Sequence, residues 1–148
     1  LDDGAPVPER YRAAGELLAG LHGVRWRPEM PAAPGVVHRV PDYDRAAMAI
    51  ETELLLDWYM PHVRGTPASA EERKRFSDAW AQVFHLLETA EQSLVLRDYH
   101  SPNLIWRPDR EGSDRLGVID LQDALIGPSA YDVASLEKAA LATDRTQG

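Results

Sequence analysis

Hydrophobic residues recur at helical spacing in three stretches of the chain. They predict an amphipathic helix over residues 8–22, a second over residues 42–59, and a third that starts after Ser69 and runs to about residue 90. Ser69 and Glu72 form a capping box, in which each side chain accepts a hydrogen bond from the other residue's backbone N–H. Residues 24–41 contain four prolines, and we predict no regular structure there.

The pattern changes after residue 92 to short apolar runs typical of strands, and a last helix is predicted from residue 129 or 132 towards residue 141. Two of the runs, residues 104–106 and 116–119, are expected to pair as an antiparallel hairpin with Asn103 opposite Asp120. The fold class expected is therefore α+β and mainly helical, with a short β-hairpin.

Composition narrows the classes of partner. The chain has 148 residues and a net charge of −8, which disfavours binding to a nucleic-acid backbone. It has no cysteine, which excludes disulfides and thiolate chemistry. We expect no signal peptide, and no apolar run approaches the roughly 20 residues of a membrane helix. We expect a cytoplasmic location, with no nucleic-acid and no membrane partner.

Oxygen-bearing side chains gather at the open end of the predicted hairpin. Opposed residues in antiparallel strands lie about 4.5–5.5 Å apart at Cα, so the Asn103 amide and the Asp120 carboxylate could together hold a hard cation such as Mg²⁺. Asp98, on the loop leading into the hairpin, lies where a base for an attacking hydroxyl belongs. Structural alternatives remain open: Asp98 or Asp123 as a turn former, and His100 as a structural hydrogen-bonding residue.

A further carboxylate, Asp132, is first interpreted as a helix cap. The surrounding pattern nevertheless resembles the catalytic and metal-binding loops of the aminoglycoside phosphotransferase/choline kinase superfamily, the small-molecule relatives of protein kinases. The matching segments are Asp-Tyr-His-Ser-Pro-Asn at 98–103, Ile-Asp-Leu-Gln-Asp at 119–123 and Tyr-Asp-Val-Ala at 131–134. Their order and spacing agree with the superfamily. The His-Gly that precedes the catalytic Asp in the superfamily is Leu96-Arg97 here, and Arg97-Asp98 is similar to the His-Arg-Asp of protein kinases.

The resemblance implies a protein-kinase-like C-terminal lobe whose hairpin carries the catalytic and metal loops. It implies that Asp98 is the catalytic base, that Asn103 and Asp120 hold Mg²⁺, and that ATP is the phosphoryl donor. Asp132 would brace the catalytic loop from a helix N-terminus. The residues with supporting roles are Arg97, His100, Asp123 and Asp132.

Within the superfamily, residues 96–104 and the Glu-Leu-Leu-Leu-Asp-Trp-Tyr segment at 53–59 most resemble a bacterial branch that contains the anomeric kinases of N-acetylmuramate and N-acetylglucosamine. The branch implies a sugar or amino-sugar hydroxyl as acceptor, with Glu53 and Trp58 in substrate binding. No Gly-rich loop and no strand lysine precede these motifs. Residues 1–148 are therefore expected to form a single C-terminal lobe without the nucleotide lobe, inactive alone.

Two other classes of function stay open at this point. A lobe that has the expected metal ligands Asn103 and Asp120 but no nucleotide lobe could be a non-catalytic, pseudokinase-like binding module. A metal-dependent hydrolase would instead use Asp98, His100, Asp120 and Asp123 as metal ligands, although such sites usually contain more than one well-placed histidine.

Overall fold

The computed structural model describes residues 7–144, with side chains as far as residue 138. Helices and small antiparallel sheets follow one another along the chain, as expected for the α+β class. The helices are α1 (Val7–His22), α2 (Arg45–Leu54), α3 (Met60–Arg64), α4 (Ala70–Glu88) and α5 (Ala130–Asp144). The strands are β1 (Glu29–Ala33), β2 (Val36–Arg39), β3 (Gln92–Val95), β4 (Leu104–Trp106), β5 (Leu116–Val118) and β6 (Leu125–Pro128). None of the helices in the described residues has the length and apolar character needed to span a bilayer.

The chain divides into two compact units. The first contains the residues up to Pro41 together with those from Gln92 onward, and the second is Asp42–Glu91. In the first unit the strands form antiparallel pairs, β1 with β2, β3 with β6, and β4 with β5. The apolar face of α1, which was predicted from its spacing, packs with these strands. The buried cluster consists of Ala14, Leu18, Val40, Leu94, Leu96, Tyr99 and Leu116.

Residues 24–41 are not irregular throughout, so that prediction is wrong. Strands β1 and β2 form a hairpin in which Met30 pairs with His38 and Pro31 with Val37. Proline has no N–H for a sheet ladder and is tolerated on edge strands. Both strands of a two-stranded ribbon are edges, and this removes the objection to strand structure.

In the second unit the predicted helix over 42–59 continues beyond its expected end. Helix α2 begins after Asp44, whose carboxylate accepts a hydrogen bond from a backbone N–H of the first turn (2.9 Å). A π-helical turn at Leu55–Tyr59 then leads into α3, where Pro61 lies in the first turn and needs no N–H partner. The helix ends at Gly65, which has φ 73° and donates its N–H to the Pro61 carbonyl (2.8 Å).

The capping box at the start of α4 is confirmed. The Glu72 N–H donates to Ser69 Oγ (3.2 Å), and the Ser69 N–H donates to Glu72 Oε2 (2.8 Å). The Ser69 N–H bond, helped by the Arg64 guanidinium and the Ser69 hydroxyl, lowers the pKa of Glu72 to about 2. Because this pKa is low, Glu72 stays ionised and the capping box stays complete well into the acid range.

Replacing Ser69 with alanine is expected to lower the free energy of unfolding by about 0.5–2 kcal/mol, because an orphan N–H of the first turn loses its acceptor. Urea denaturation measures this change. Ser77→Ala is the matched control: it makes the same substitution on the exposed middle of α4, where alanine is the better helix former and no loss is expected. If both variants unfold at the urea concentration that unfolds the parent protein, the cap contributes nothing.

The β4–β5 hairpin forms where it was predicted, but in a register shifted by one residue. Leu104 pairs with Val118, and the Ile119 N–H donates to the Asn103 carbonyl (3.1 Å). Asn103 is therefore opposite Ile119, and the predicted pairing of Asn103 with Asp120 is wrong. A short 3₁₀ turn before β5 displaces the centre of the connecting loop, which apolar spacing alone does not reveal.

Candidate active site

The loop that follows β3 begins with a tight turn. The Asp98 N–H donates to the Leu96 carbonyl (2.8 Å), and the intervening Arg97 has φ 66°. A side chain in this left-handed region costs about 1 kcal/mol relative to the usual conformations, and glycine avoids the cost. This gives a physical reason for the glycine in the superfamily pattern and shows that Arg97 adopts a glycine-like conformation.

Asp132 holds this turn from the first turn of α5. Its Oδ2 accepts the Leu96 N–H (2.8 Å) and its Oδ1 accepts the Arg97 N–H (3.0 Å). Its side chain is 0% exposed. The interpretation of Asp132 as a helix cap is wrong, because the two N–H groups that donate to it belong to the loop that follows β3 and not to α5. The carboxylate joins α5 to the backbone immediately before Asp98.

Burial dominates the electrostatics behind the loop. It raises the pKa of Asp132, and the two N–H bonds that Asp132 accepts, with the nearby His22, lower that pKa in part. Burial, helped by the Asp132 charge, also raises the pKa of Tyr99 to about 12. The Tyr99 phenol is therefore neutral at ordinary pH, and its O–H donates to the Ala14 carbonyl in α1 (2.8 Å).

Asp98 combines a fixed backbone with an open side chain. Its carbonyl accepts hydrogen bonds from the His100 N–H (3.0 Å) and from Asn103 Nδ2 (3.1 Å). Its carboxylate is 55% exposed and lies 3.8 Å from His100 Nε2. The other ring nitrogen of His100, Nδ1, is buried without a hydrogen-bond partner among residues 7–144. A carboxylate held in this way is free to contact a ligand.

The two expected metal ligands, Asn103 and Asp120, have the chemistry that Mg²⁺ prefers. Asn103 donates through Nδ2, so its Oδ1 is the amide atom that remains for a cation. Asp120 directly follows the backbone bond between Ile119 and Asn103, has φ 65°, and accepts a close hydrogen bond from Gln122 Nε2. Mg²⁺ is commonly held by one or two protein oxygens with water and substrate phosphate. An amide oxygen and a carboxylate fit such an ion.

Three other expected site residues lie at the surface. Asp123 is in an exposed turn closed by the bond from the Ala124 N–H to the Leu121 carbonyl (3.2 Å), which agrees with its reading as a turn former. Glu53 is exposed at the end of α2. Trp58 lies in the π-helical turn with 74% of its surface exposed. The roles of Asp123, Glu53 and Trp58 at a site stay predictions.

The described residues do not gather the ligands that a hydrolase centre would need. Within residues 7–144, no three His, Asp or Glu side chains are grouped so that they could hold a metal ion. The hydrolase interpretation would draw such a group from the loops at 98–100 and 120–123.

Sequence reasoning missed an apolar surface on the same hairpin face as Asn103. Because side chains alternate along a strand, Asn103, Ile105 and Ile119 share one face of the β4–β5 hairpin. Ile105 and Ile119 are each about half exposed, whereas the opposite face joins the core. Leu104 faces the core, so the alternation of side chains along β4 would have placed Ile105 on the outer face. Grouping Ile105 with Ile119 also needed the correct register of β4 and β5.

Comparison with known proteins identifies the class. The sequence matches the phosphotransferase enzyme family over residues 1–146, and the chain belongs to this family. The superfamily resemblance drawn from the loop motifs is thereby confirmed.

Relatives within that class are N-acetylmuramate/N-acetylglucosamine kinases. The chain is 30% identical to the Caulobacter vibrioides kinase over 134 residues, which is 90% of this chain and 36% of the relative. It is 36% identical to the Pseudomonas aeruginosa kinase over 103 residues (67% and 28%), and 31% identical to that of Neisseria meningitidis serogroup B over 97 residues (66% and 28%). The chain thus spans about a third of the length of these curated relatives, or less.

Proposed function

We propose that the chain is the catalytic lobe of an ATP- and Mg²⁺-dependent phosphotransferase that acts on a hydroxyl of a sugar or amino sugar. The observation that carries this proposal is the arrangement of Asp98: its backbone is fixed by Asn103 and by the turn that Asp132 holds, while its carboxylate is open. A base must have this combination to meet an incoming hydroxyl in one orientation.

In the proposed reaction, Asp98 orients the acceptor hydroxyl and takes its proton. The acceptor oxygen forms a bond to the γ-phosphorus of ATP, and the bond from that phosphorus to the bridging oxygen of ADP breaks. Asn103 and Asp120 would hold Mg²⁺, which when bound supplies positive charge beside the phosphate oxygens. Transfer of this kind depends mainly on positioning and on charge stabilisation.

The apolar surface of Ile105 and Ile119 supports a nucleotide as the donor. It lies on the same hairpin face as Asn103, so a base resting on it would leave its phosphates near the proposed metal ligands. The chain contains only two lysines, Lys74 and Lys138. We infer that cations for the β- and γ-phosphates come from a nucleotide lobe outside these residues. Because ATP is the donor, we place the enzyme in the cytoplasm.

The names of the relatives suggest the acceptor. N-acetylmuramate/N-acetylglucosamine kinases are named for amino sugars, and we extend that class to this chain. Trp58 presents an exposed indole whose apolar face could pack on a sugar ring, and Glu53 could accept hydrogen bonds from sugar hydroxyls. Both residues remain proposals for substrate binding.

The direct test is a phosphoryl-transfer assay on the complete gene product, purified from its own cell, whose intact mass is compared with 16.5 kDa. The assay uses Mg²⁺-ATP with N-acetylglucosamine or N-acetylmuramate and follows ADP and the sugar phosphate. We expect formation of both products in equal amounts. A folded protein that releases neither product with any sugar acceptor contradicts the proposal and favours the non-catalytic binding module.

Replacing Asp120 with asparagine is expected to weaken Mn²⁺ binding by about tenfold or more, because an anionic ligand to the cation is lost. Mn²⁺ replaces Mg²⁺ so that binding can be followed by electron paramagnetic resonance, and circular dichroism checks the fold. Asp123→Asn removes an equal charge three residues away and should have a much smaller effect. If Asp123→Asn weakens binding and Asp120→Asn does not, the ligand is assigned to the wrong carboxylate.

A further inference from the structure

His22 lies at the end of α1 with its imidazole directed at the buried carboxylate behind the catalytic loop. Its Nε2 is 3.9 Å from Asp132 Oδ2, and its side chain is 15% exposed. Within the described part of the chain, this buried nitrogen has no hydrogen-bond partner. The end of α1 is fixed by the bond from Trp26 Nε1 to the Leu21 carbonyl (2.8 Å), so His22 is held in place by its neighbours.

The state of Asp132 decides whether the loop can keep its turn. Both carboxylate oxygens accept backbone N–H groups, from Leu96 and Arg97. A protonated carboxyl would carry an O–H where one of these acceptors is needed. Burial favours that protonated form, and the two N–H bonds that Asp132 accepts, together with the nearby His22, oppose it.

Few titratable side chains act on Asp132. His22 faces it from α1, and the neutral phenol of Tyr99 faces it from the catalytic loop. Arg97 meets it through a backbone N–H. The imidazole beside Asp132 comes from α1.

We propose that His22 is a positioning residue for phosphoryl transfer: its imidazole, when protonated, favours the ionised form of Asp132, and Asp132 in turn holds the Leu96–Asp98 turn that orients the base. This inference rests on the proposed function of the loop, although the link between His22 and Asp132 can be tested without any activity. At 3.9 Å the ring is beyond hydrogen-bond distance of Asp132 Oδ2, so when it is protonated it acts on the carboxylate through its charge.

The test without activity follows the backbone amide signals of Leu96 and Arg97 by NMR in the complete protein as pH is varied. These amides donate to Asp132 and therefore report its protonation. Removing the cation in His22→Phe should raise the midpoint of their titration by about one pH unit, because a nearby opposite charge lowers a carboxyl pKa. An unchanged midpoint in His22→Phe overturns the proposal.

Further variants separate charge from hydrogen bonding. His22→Lys keeps a cation and should return the midpoint towards that of the parent protein. His22→Gln keeps an N–H donor without charge and should behave like His22→Phe, and it also serves if the phenylalanine variant fails to fold. A midpoint restored by glutamine overturns the role given to charge. His85→Phe, which replaces an exposed histidine at the end of α4, is the matched control and should leave the midpoint unchanged.

The same variants are then assayed for turnover. The acid limb of the kcat profile should move to higher pH in His22→Phe, while KM for the acceptor changes little. If the parent protein has no turnover but the amide midpoint shifts, the proposed function fails and the link to Asp132 stands. If the parent protein turns over but neither the amide midpoint nor the acid limb of the kcat profile shifts in His22→Phe, the role of His22 is wrong and the proposed function stands.

Discussion

Asp98→Asn is expected to lower turnover by at least about 100-fold in the complete enzyme, since positioned proton transfer contributes about 10²–10⁴ in rate. The amide keeps the size of the carboxylate but cannot take the proton of the acceptor hydroxyl. The Asp98 carboxylate is 55% exposed, and it lies 3.8 Å from His100 Nε2. The fold should therefore survive the substitution, and the loss should fall on kcat.

A binding measurement distinguishes a loss of proton transfer from a loss of nucleotide binding. Affinity for Mg²⁺-ATP, measured by calorimetry, should stay within about threefold of the parent protein, because Asp98 is not one of the proposed metal ligands. Asp109→Asn makes the same change on the exposed loop between β4 and β5 and should retain full turnover. Turnover of Asp98→Asn within a few-fold of that control would remove Asp98 from the role of base.

Asp132→Ala is expected to give the largest loss of stability, about 3–5 kcal/mol of the free energy of unfolding. The substitution leaves the buried N–H of Leu96 and the partly buried N–H of Arg97 without an acceptor, and an unsatisfied buried group costs about 1–3 kcal/mol. Asp132→Asn retains one acceptor oxygen but turns an NH₂ group towards the other N–H. It should lose an intermediate amount.

Urea denaturation of the complete protein, followed by circular dichroism, measures both changes. Asp109→Ala is the matched control, since the Asp109 side chain is 75% exposed and should contribute less than about 0.5 kcal/mol. If Asp132→Ala is as stable as Asp109→Ala, its two hydrogen bonds do not hold the loop.

Features set by neighbouring residues could be predicted from the sequence. Apolar spacing located α1 and α4, and the pair Ser69 and Glu72 marked the start of α4 to the residue. The β4–β5 hairpin was also predictable in position, because two apolar runs flank a polar loop. Its register was not, since the 3₁₀ turn in that loop leaves no mark in the alternation of side chains.

Features that depend on residues far apart in the sequence could not be predicted from local patterns. Pro31 argued against a strand, and only its place in a two-stranded ribbon makes one possible. The bonds that the Leu96 and Arg97 N–H groups donate to Asp132 cross 36 and 35 positions of sequence, and the superfamily pattern alone pointed to them. His22 showed no spacing typical of a site, because its importance depends on where α1 ends relative to α5.

The left-handed backbone at Arg97 has a consequence for anyone who would copy the loop that follows β3. Arg97 adopts a conformation that a free chain seldom visits. A synthetic peptide spanning residues 96–103 would therefore lack the shape of the native loop, even with every side chain present. A transplant into another scaffold would need a buried carboxylate like Asp132 beneath it, so the transferable unit is the loop with its support.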